Sequence, residues 1–303
     1  MEFMSPSDLC LSPLEQVDPL RFTVSSGACD CHAHIFGPKK MFPFIADRSY
    51  TPPEASIEAY KNMHRKLGIT RAVIVQPSVY GTDNQVTLTA IKQYGNENAR
   101  GIAVVDNDVS ELELERLHEK GIRGVRFNLL FKGGAQFKYL ERISSKIAPF
   151  NWHVQILMDV SELQLITDRL RRLPTEIVFD HMGHISTNHG TNNLGFQALI
   201  NLIKEGRAWV KLSGNYRISS AKPSYKDAEA FARALISASQ KRVVWGSDWP
   251  HPGLHDTMPN DGALLNALDE YAASDQLKHA ILVNNPAELY GFNTSPKGSE
   301  YDK

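Results

Sequence analysis

Short apolar runs recur along the chain, and amphipathic stretches with a helical pattern separate them. Most of these runs are too continuously apolar to be strands with one face in water. This pattern is typical of parallel strands that are covered by helices. Eight strands are predicted, at residues 28–36, 71–76, 101–105, 121–127, 153–158, 177–180, 208–212 and 243–245.

Residues that are typical of helix N-termini support the prediction of helices between these strands. Ser110 with Glu113, and Ser161 with Gln164, have the spacing of a capping box. Eight repeated strand–helix units predict an α/β fold of the closed (β/α)8, or TIM-barrel, type. An open doubly wound sheet is the alternative, but no glycine-rich dinucleotide-binding motif follows any early strand.

The length agrees with a single barrel domain, because the chain has 303 residues and such barrels typically hold about 250. We predict an N-terminal surface arm at residues 1–26 and a barrel at 27–292. The last part of the barrel domain, at 277–292, is predicted to be a helical cap. A flexible tail is predicted at 293–303.

Composition narrows the classes of partner. Lys and Arg number 33 against 34 Asp and Glu, so no overall field favours nucleic acid or an anionic membrane. No apolar run approaches the roughly 20 residues that span a bilayer. The three cysteines, Cys10, Cys29 and Cys31, cannot all pair, which favours the reducing cytoplasm. The sequence leaves open whether the protein is a monomer or a homo-oligomer.

The candidate chemistry begins with His32-Ala33-His34 on the first predicted strand. Residues two apart in a strand point to the same face, so the two imidazoles should lie side by side. Such a pair can share a metal, polarise a carbonyl group or satisfy hydrogen bonds. At the far end of the chain, Asp248 stands at the mouth of the last apolar strand.

Other polar residues fall at strand ends, where barrels of this type place their chemistry. Several have a simpler interpretation: Arg123 as a solvated charge, Ser78 as a turn residue, and Lys211 as a side chain that snorkels to solvent. His184 lies in a predicted loop. The polar residues at the strand ends are Ser78, Arg123, Arg126, Asn128, Gln155, Asp180, His181, Lys211, Ser213, Asn215, Tyr216 and Arg217.

With these residues in place, the chain resembles the amidohydrolase superfamily, in the branch that includes 2-pyrone-4,6-dicarboxylate lactonase and sulfomuconolactone hydrolase. The resemblance covers the predicted barrel and rests on several motifs in order. These motifs are DCHAH at 30–34, RSYTP at 48–52, QPSVYGTDN at 76–84, GIRGVR at 121–126, DHMG at 180–183, LSG and YR within 212–217, and WGSDWPH at 245–251.

The departures from the superfamily bear on metal binding. The superfamily members that this chain resembles and that bind two metals share a bridging lysine or glutamate on strand four and a metal-binding histidine on strand five. This chain has arginines and Gln155 there, and a guanidinium cannot ligate a cation. A single zinc on His32, His34 and Asp248 is chemically feasible, but nearby arginines would repel it. For the lactonase branch, the resemblance implies chemistry that requires no metal and no cofactor.

The resulting hypothesis is hydrolysis of a small anionic lactone. Asp248 would act as general base, and His32, His34 and His181 would polarise the carbonyl group. Carboxylates of the substrate would bind to arginines, whose planar fork suits them. The predicted substrate-binding residues are Tyr50, Ser78, Arg123, Arg126, Gln155, Arg217 and His251.

Two other functions stay open. One is a mononuclear zinc decarboxylase or amidohydrolase acting on an aromatic or cyclic carboxylate, against which the missing strand-five histidine argues. The other is a catalytically silent binding protein or structural barrel, against which the full set of three histidines and one aspartate argues.

Overall fold

Eight parallel strands pair in chain order in the computed structural model of the protein, which describes residues 9–293. They are β1 (Cys29–Ala33), β2 (Arg71–Val75), β3 (Ala99–Ala103), β4 (Ile122–Asn128), β5 (His153–Leu157), β6 (Ile177–Phe179), β7 (Ala208–Leu212) and β8 (Val243–Trp245). The first and last strands meet where Ala33 pairs with Trp249 and the Asp248 N–H donates to the His32 carbonyl at 2.8 Å. The prediction of a TIM barrel is confirmed.

All eight predicted strands are present, and β7 and β8 have the predicted bounds. The first strand, β1, ends three residues before the predicted position 36. Strand β3 begins and ends two residues earlier than the predicted 101–105. The side chain of Asn84 explains the early end, because it bonds both the N–H and the carbonyl of Val104 at 3.0 and 2.8 Å. Those two backbone groups are therefore not available to a sheet partner.

Helices join the strands and cover the outside of the barrel. The α-helices are α1 (Ile57–Leu67), α2 (Gln85–Tyr94), α3 (Glu111–Glu119), α4 (Leu140–Ile147), α5 (Thr167–Arg171), α6 (Leu194–Lys204), α7 (Asn215–Ile218), α8 (Glu229–Ala238), α9 (Asp261–Tyr271), α10 (Asp275–His279) and α11 (Asn285–Tyr290). Ser110 caps α3 as predicted, since its hydroxyl accepts from the Glu113 N–H. The prediction for Ser161 is wrong: Asp159 caps the 3₁₀ helix Val160–Leu165, and its carboxylate accepts from the Ser161 N–H at 2.8 Å.

The predicted cap at 277–292 is helical, and it closes the end of the barrel opposite the strand mouths. A π-helical turn, Ala280–Asn284, links α10 to α11. Tyr290 packs edge-on against His153, with ring centroids 5.5 Å apart, and joins Cys29 and Cys31 in a small apolar cluster. One end of the barrel is thus filled, which leaves the carboxyl ends of the strands as the open face.

Residues 9–26 of the predicted arm lie against the barrel. The N–H groups of Cys10 and Leu11 donate to the carbonyls of Thr51 and Leu254, each at 2.9 Å. Residues 1–8 and 294–303, which include most of the predicted tail, lie outside the described residues, and the domain boundaries stay a prediction. All three cysteines are unpaired thiols. No helix within 9–293 combines the length and apolar character that crossing a membrane requires.

The buried His153 leads to a prediction about stability. Burial lowers the pKa of His153 to about 3, whereas an unfolded histidine titrates near 6.5. Below that pH the unfolded chain binds a proton that the folded chain excludes, so the stabilisation is complete above pH 6.5 and is lost as the pH falls. The slope is about 1.4 kcal/mol per pH unit. From pH 6.5 to 5, the unfolding free energy of a His153→Gln variant should fall by about 2 kcal/mol less than that of the wild type. Denaturant unfolding at both pH values measures this, and equal falls in the two proteins would contradict it.

Candidate active site

Asp248 follows β8 at the open face and is held by backbone contacts. Its φ is 66°, a left-handed conformation that non-glycine residues rarely adopt. The Asp30 carboxylate fixes the preceding residue, because Oδ1 accepts from the Ser247 N–H at 2.8 Å and Oδ2 accepts from the Ser247 hydroxyl. His181, His184 and His251 also have φ values of 50–59°. Backbone strain of this kind clusters at functional sites, where the surrounding structure enforces it.

The three predicted catalytic histidines converge on the Asp248 carboxylate. The Nε2 atoms of His32 and His34 are 3.3 Å apart, which confirms that the two rings share a face. Each of these atoms is 3.8 Å from Oδ1 of Asp248, and Nε2 of His181 is 3.8 Å from Oδ2. A shift in the register of β1 against β2 falls between Asp30 and Ala33, an interval that includes His32. Residues from the two ends of the chain therefore form one cluster.

Electrostatics keep the aspartate ionised and the histidines neutral. Burial acts to raise the pKa of Asp248, but the Arg217 guanidinium and the three histidines outweigh it and hold the pKa well below its usual range. Burial lowers the pKa of His32, and it lowers those of His34 and His181 further. At neutral pH the site therefore contains a carboxylate beside uncharged imidazoles.

The hydrogen bond to His34 fixes which of its nitrogens carries the proton. Nδ1 of His34 lies 2.7 Å from the Val75 carbonyl oxygen, which can only accept. The proton of neutral His34 is therefore on Nδ1, and Nε2 offers a lone pair. This differs from the predicted role of His34 as a donor to a substrate carbonyl, which would require its protonated form.

The two oxygens of Asp248 have different surroundings. Oδ2 accepts from the Tyr216 hydroxyl at 2.6 Å and from Nε of Arg217 at 2.5 Å. Oδ1 accepts no hydrogen bond from any group within residues 9–293, although it is buried. His251 supports this side, with Nδ1 at 3.1 Å from the Tyr216 hydroxyl and Nε2 at 3.2 Å from Asp261. Oδ1 is the oxygen that is available to a reactant.

A buried charged network lies beneath the histidines. Oδ2 of Asp180 accepts from Nε of Arg126 at 3.3 Å and from the Gln155 amide at 3.1 Å. Nζ of Lys211 donates to the Gln155 amide oxygen at 2.7 Å and lies 3.2 Å from Nδ1 of His32. Lys211 is fully buried, so the interpretation that it snorkels to solvent is wrong. Its charge is balanced inside the barrel instead.

A cavity of about 300 Å³, open solvent included, lies above this cluster. Burial raises the pKa of Tyr50, one of its walls, to about 12, so the phenol keeps its proton. The lining residues are His34, Tyr50, Arg126, Asn128, Phe131, Leu157, His181, His184, Arg217, Asp248 and Pro252. The sequence pattern places His184 in a loop and gives it no role in the site. Its position three residues after His181, at the end of β6, is the signal that could have found it.

The predicted substrate-binding residues differ in their position relative to the cavity. Tyr50, Arg126 and Arg217 line the cavity. Ser78, Gln155 and His251 do not line it: Ser78 interacts with Tyr50, and the other two bond to residues that surround Asp248 and Asp180. In the structure these three side chains support the residues of the site, and their contact with the substrate stays a prediction.

Arg123 is not part of the site. Its guanidinium donates to the carbonyls of His118 and Ile122 at 2.9 and 2.7 Å, at the start of β4. Burial, with Arg100 nearby, lowers its pKa to about 10. The prediction that Arg123 binds substrate is wrong, because its side chain bonds to backbone at the end of the strand opposite the mouth.

The same cluster has the spacing of a metal site but not its charges. Ligand atoms of His32, His181 and Asp248 all lie within 4.8 Å of one another, and His34 is adjacent, so the spacing suits a cation. The charges oppose one, because the Lys211 ammonium contacts His32 and the Arg217 guanidinium contacts Asp248. A zinc-bound imidazole normally has a carboxylate or carbonyl behind it. His34 has the Val75 carbonyl, but Nδ1 of His32 is shared between Asp180 and the Lys211 ammonium, each at 3.2 Å. The residues present do not fit a metal well.

The fold and this cluster of histidines with an aspartate are those of an amidohydrolase barrel. Residues 29–292 match the family model described as amidohydrolase, so the chain belongs to this family. The resemblance of the sequence to the amidohydrolase superfamily is confirmed.

Curated relatives narrow the class. The chain is 36% identical over 292 residues to a 4-sulfomuconolactone hydrolase of Hydrogenophaga intermedia, covering 94% of this chain and 95% of that one. It is 37% identical over 282 residues to a 2-pyrone-4,6-dicarboxylate hydrolase of Comamonas testosteroni, covering 89% and 92%. It is 30% identical over 274 residues to a D-galactarolactone isomerase of Agrobacterium fabrum, again covering 89% and 92%.

The fold is also similar to a solved structure whose description matches the names of these relatives. A crystal structure of a probable 2-pyrone-4,6-dicarboxylic acid hydrolase from Acinetobacter baumannii, with citric acid bound, superposes with a TM-score of 0.78 at 29% identity. The match covers 88% of this chain and 100% of that one. The chain is therefore an enzyme of a family whose named relatives act on lactones, in agreement with the predicted carboxylic-ester hydrolase class.

Proposed function

We propose that the protein hydrolyses the ring ester of a small lactone that carries one or more carboxylates. The observation that carries this proposal is Oδ1 of Asp248: it is buried, accepts no hydrogen bond within the described residues, and faces the imidazoles at the floor of a cavity walled by Arg126 and Arg217. A cavity with two guanidiniums, in a chain whose net charge is −1, favours an anionic substrate. The names of the hydrolase relatives support the lactone class.

In the proposed reaction Asp248 acts as general base. Oδ1 takes a proton from a water molecule, and the water oxygen forms a bond to the lactone carbonyl carbon. The negative charge on the carbonyl oxygen is stabilised by N–H groups of His32 and His181. The carbon–oxygen bond of the ring then breaks, and the ring oxygen takes the proton from Asp248. Water and lactone give a ring-opened hydroxy acid, or its keto tautomer where the ring oxygen was enolic.

The substrate carboxylates would bind to Arg126 and Arg217, with the Tyr50 hydroxyl as a neutral donor. Each arginine is already paired with an aspartate, Asp180 or Asp248, which holds its guanidinium in place before substrate arrives. Positioning of this kind reduces the ordering that binding requires.

The experiment that tests the proposal is a substrate panel. Purified protein is mixed with 2-pyrone-4,6-dicarboxylate, with 4-sulfomuconolactone and with a neutral lactone, and ring absorbance and acid release are followed together. We expect acid release with at least one anionic lactone and much slower release with the neutral one. Loss of substrate without acid release would indicate an isomerase. No reaction with any lactone would favour the silent binding protein.

A mononuclear zinc enzyme acting on an aromatic or cyclic carboxylate is the second candidate, because the ligand atoms of His32, His181 and Asp248 lie within 4.8 Å. We expect protein dialysed against a chelator to keep its full lactonase rate, since Lys211 and Arg217 occupy the positions from which a cation would be supported. Metal content is measured on the same samples. Loss of activity on chelation, with recovery on addition of zinc, would reverse the order of the two candidates.

A further inference from the structure

Lys211 on β7 is a fully buried lysine that the proposed reaction does not use. Its Nζ atom is 2.7 Å from the Gln155 amide oxygen, 3.2 Å from Nδ1 of His32 and 3.5 Å from Oδ1 of Asp180. A buried ammonium is costly unless its three protons meet acceptors. The first two atoms accept hydrogen bonds from Nζ, the carboxylate oxygen lies at ion-pair distance, and one of the two acceptors belongs to a histidine of the site.

Two neighbours compete for Nδ1 of His32. The Asp180 carboxylate, with Oδ1 at 3.2 Å, would require a proton on Nδ1, whereas the Lys211 ammonium can only donate and requires a lone pair there. The contact from Lys211 meets the geometry of a hydrogen bond. Oδ1 of Asp180 accepts no well-formed hydrogen bond from any group in residues 9–293. The geometry therefore favours Lys211 as the partner of Nδ1.

We propose that Lys211 is a positioning residue that fixes His32 as the tautomer with its proton on Nε2. The proton then faces the lone pair on Nε2 of His34, 3.3 Å away, whose own proton is held by the Val75 carbonyl. The hydrogen bonds run in one direction, from Lys211 through His32 and His34 to Val75.

This assignment explains how a neutral imidazole can stabilise a developing oxyanion. A substrate oxygen bound beside Oδ1 of Asp248 would replace Nε2 of His34 as the acceptor of the Nε2 proton of His32. Without Lys211, the imidazole proton of His32 would lie on Nδ1 and be donated to Asp180, and Nε2 would present a lone pair that repels the oxyanion. The catalytic part of this inference rests on the proposed function, while the tautomer itself does not.

The tautomer is measured first, on the resting protein. Histidine labelled with ¹⁵N is examined by long-range ¹H–¹⁵N correlation at neutral pH, and a His32→Gln variant assigns the resonance. We expect His32 of the wild type to be protonated on Nε2. In Lys211→Met we expect the proton to move to Nδ1, and in Lys211→Arg, which also has only donors, we expect it to stay on Nε2. A wild-type His32 protonated on Nδ1 overturns the proposal, even if neither variant folds.

Kinetics with the best lactone of the panel test the consequence. Loss of one oxyanion donor typically lowers kcat by about 10²–10³-fold, so Lys211→Met should lose about that much kcat with little change in KM. Lys211→Arg should recover most of it, and Lys204→Met, at an exposed position on α6, serves as the control for loss of a lysine.

A purely structural role predicts a different outcome: less folded protein, with the tautomer and the kcat of the folded fraction unchanged. That result, or a kcat loss in Lys211→Met without the change of tautomer, would overturn the proposal. If the wild type opens no lactone, the proposed function fails separately, and the NMR result alone decides whether Lys211 sets the tautomer.

Discussion

Asp248→Asn is expected to lower kcat by about 10²–10⁴-fold, the usual contribution of a general base. The amide has the shape of the carboxylate but cannot take a proton from water. Its oxygen can still accept from Tyr216 and Arg217. The fold should therefore survive the change while turnover does not.

Product formation, circular dichroism and thermal unfolding should be measured on the same preparation. Asp275→Asn is the matched control, because that carboxylate is exposed on α10 and contacts only Lys278 among the ion pairs of the described chain. The control should keep the wild-type rate. Turnover by Asp248→Asn within a few-fold of wild type would remove Asp248 from the role of base.

Arg126→Met and Arg217→Met are expected to weaken the use of carboxylate-bearing lactones. A lost hydrogen bond to a charged group is worth about 1.5–3 kcal/mol, which corresponds to about 10- to 150-fold in kcat/KM. The two variants should differ in how the loss is divided. Arg217 also bonds Oδ2 of Asp248, so its removal should lower kcat as well, whereas Arg126 bonds Asp180 and its removal should mainly raise KM.

The comparison that decides substrate class uses a dicarboxylate lactone and its monocarboxylate or neutral analogue. The loss should shrink for an analogue that lacks the carboxylate which the arginine binds. Arg123→Met is the matched control, since that arginine bonds to backbone at the opposite end of β4 and should leave kcat/KM unchanged. Equal losses on every analogue would mean that Arg126 and Arg217 only support the walls of the cavity.

Most of the fold follows from local patterns. Continuous apolar runs identify buried parallel strands, and their number and their alternation with helices identify the barrel. The end of β3 was misplaced because a side chain from elsewhere intervened: Asn84 forms hydrogen bonds to the backbone of Val104, 20 positions away. Distant partners of this kind leave no trace in a local pattern.

The candidate site was predicted in part for the same reason. The carboxyl ends of parallel strands meet on one face of a barrel, so His32, His34, His181 and Asp248 could be grouped from their positions on predicted strands. Arg123 and Arg126 could have been separated, because residues three apart in a strand lie on opposite faces and about 10 Å apart along it. The strand-end rule alone treated them as equivalent.

The sequence by itself determined the barrel and the residue types at its mouth, since both depend on strand periodicity and on chain order. Only the tertiary structure decided which of these groups touch and which protonation state each contact favours. Lys211 and His32 are 179 positions apart, and their hydrogen bond depends on how β7 and β1 sit around a common axis. The donor or acceptor character of an imidazole follows from such contacts, because the partner of one ring nitrogen fixes the proton on the other.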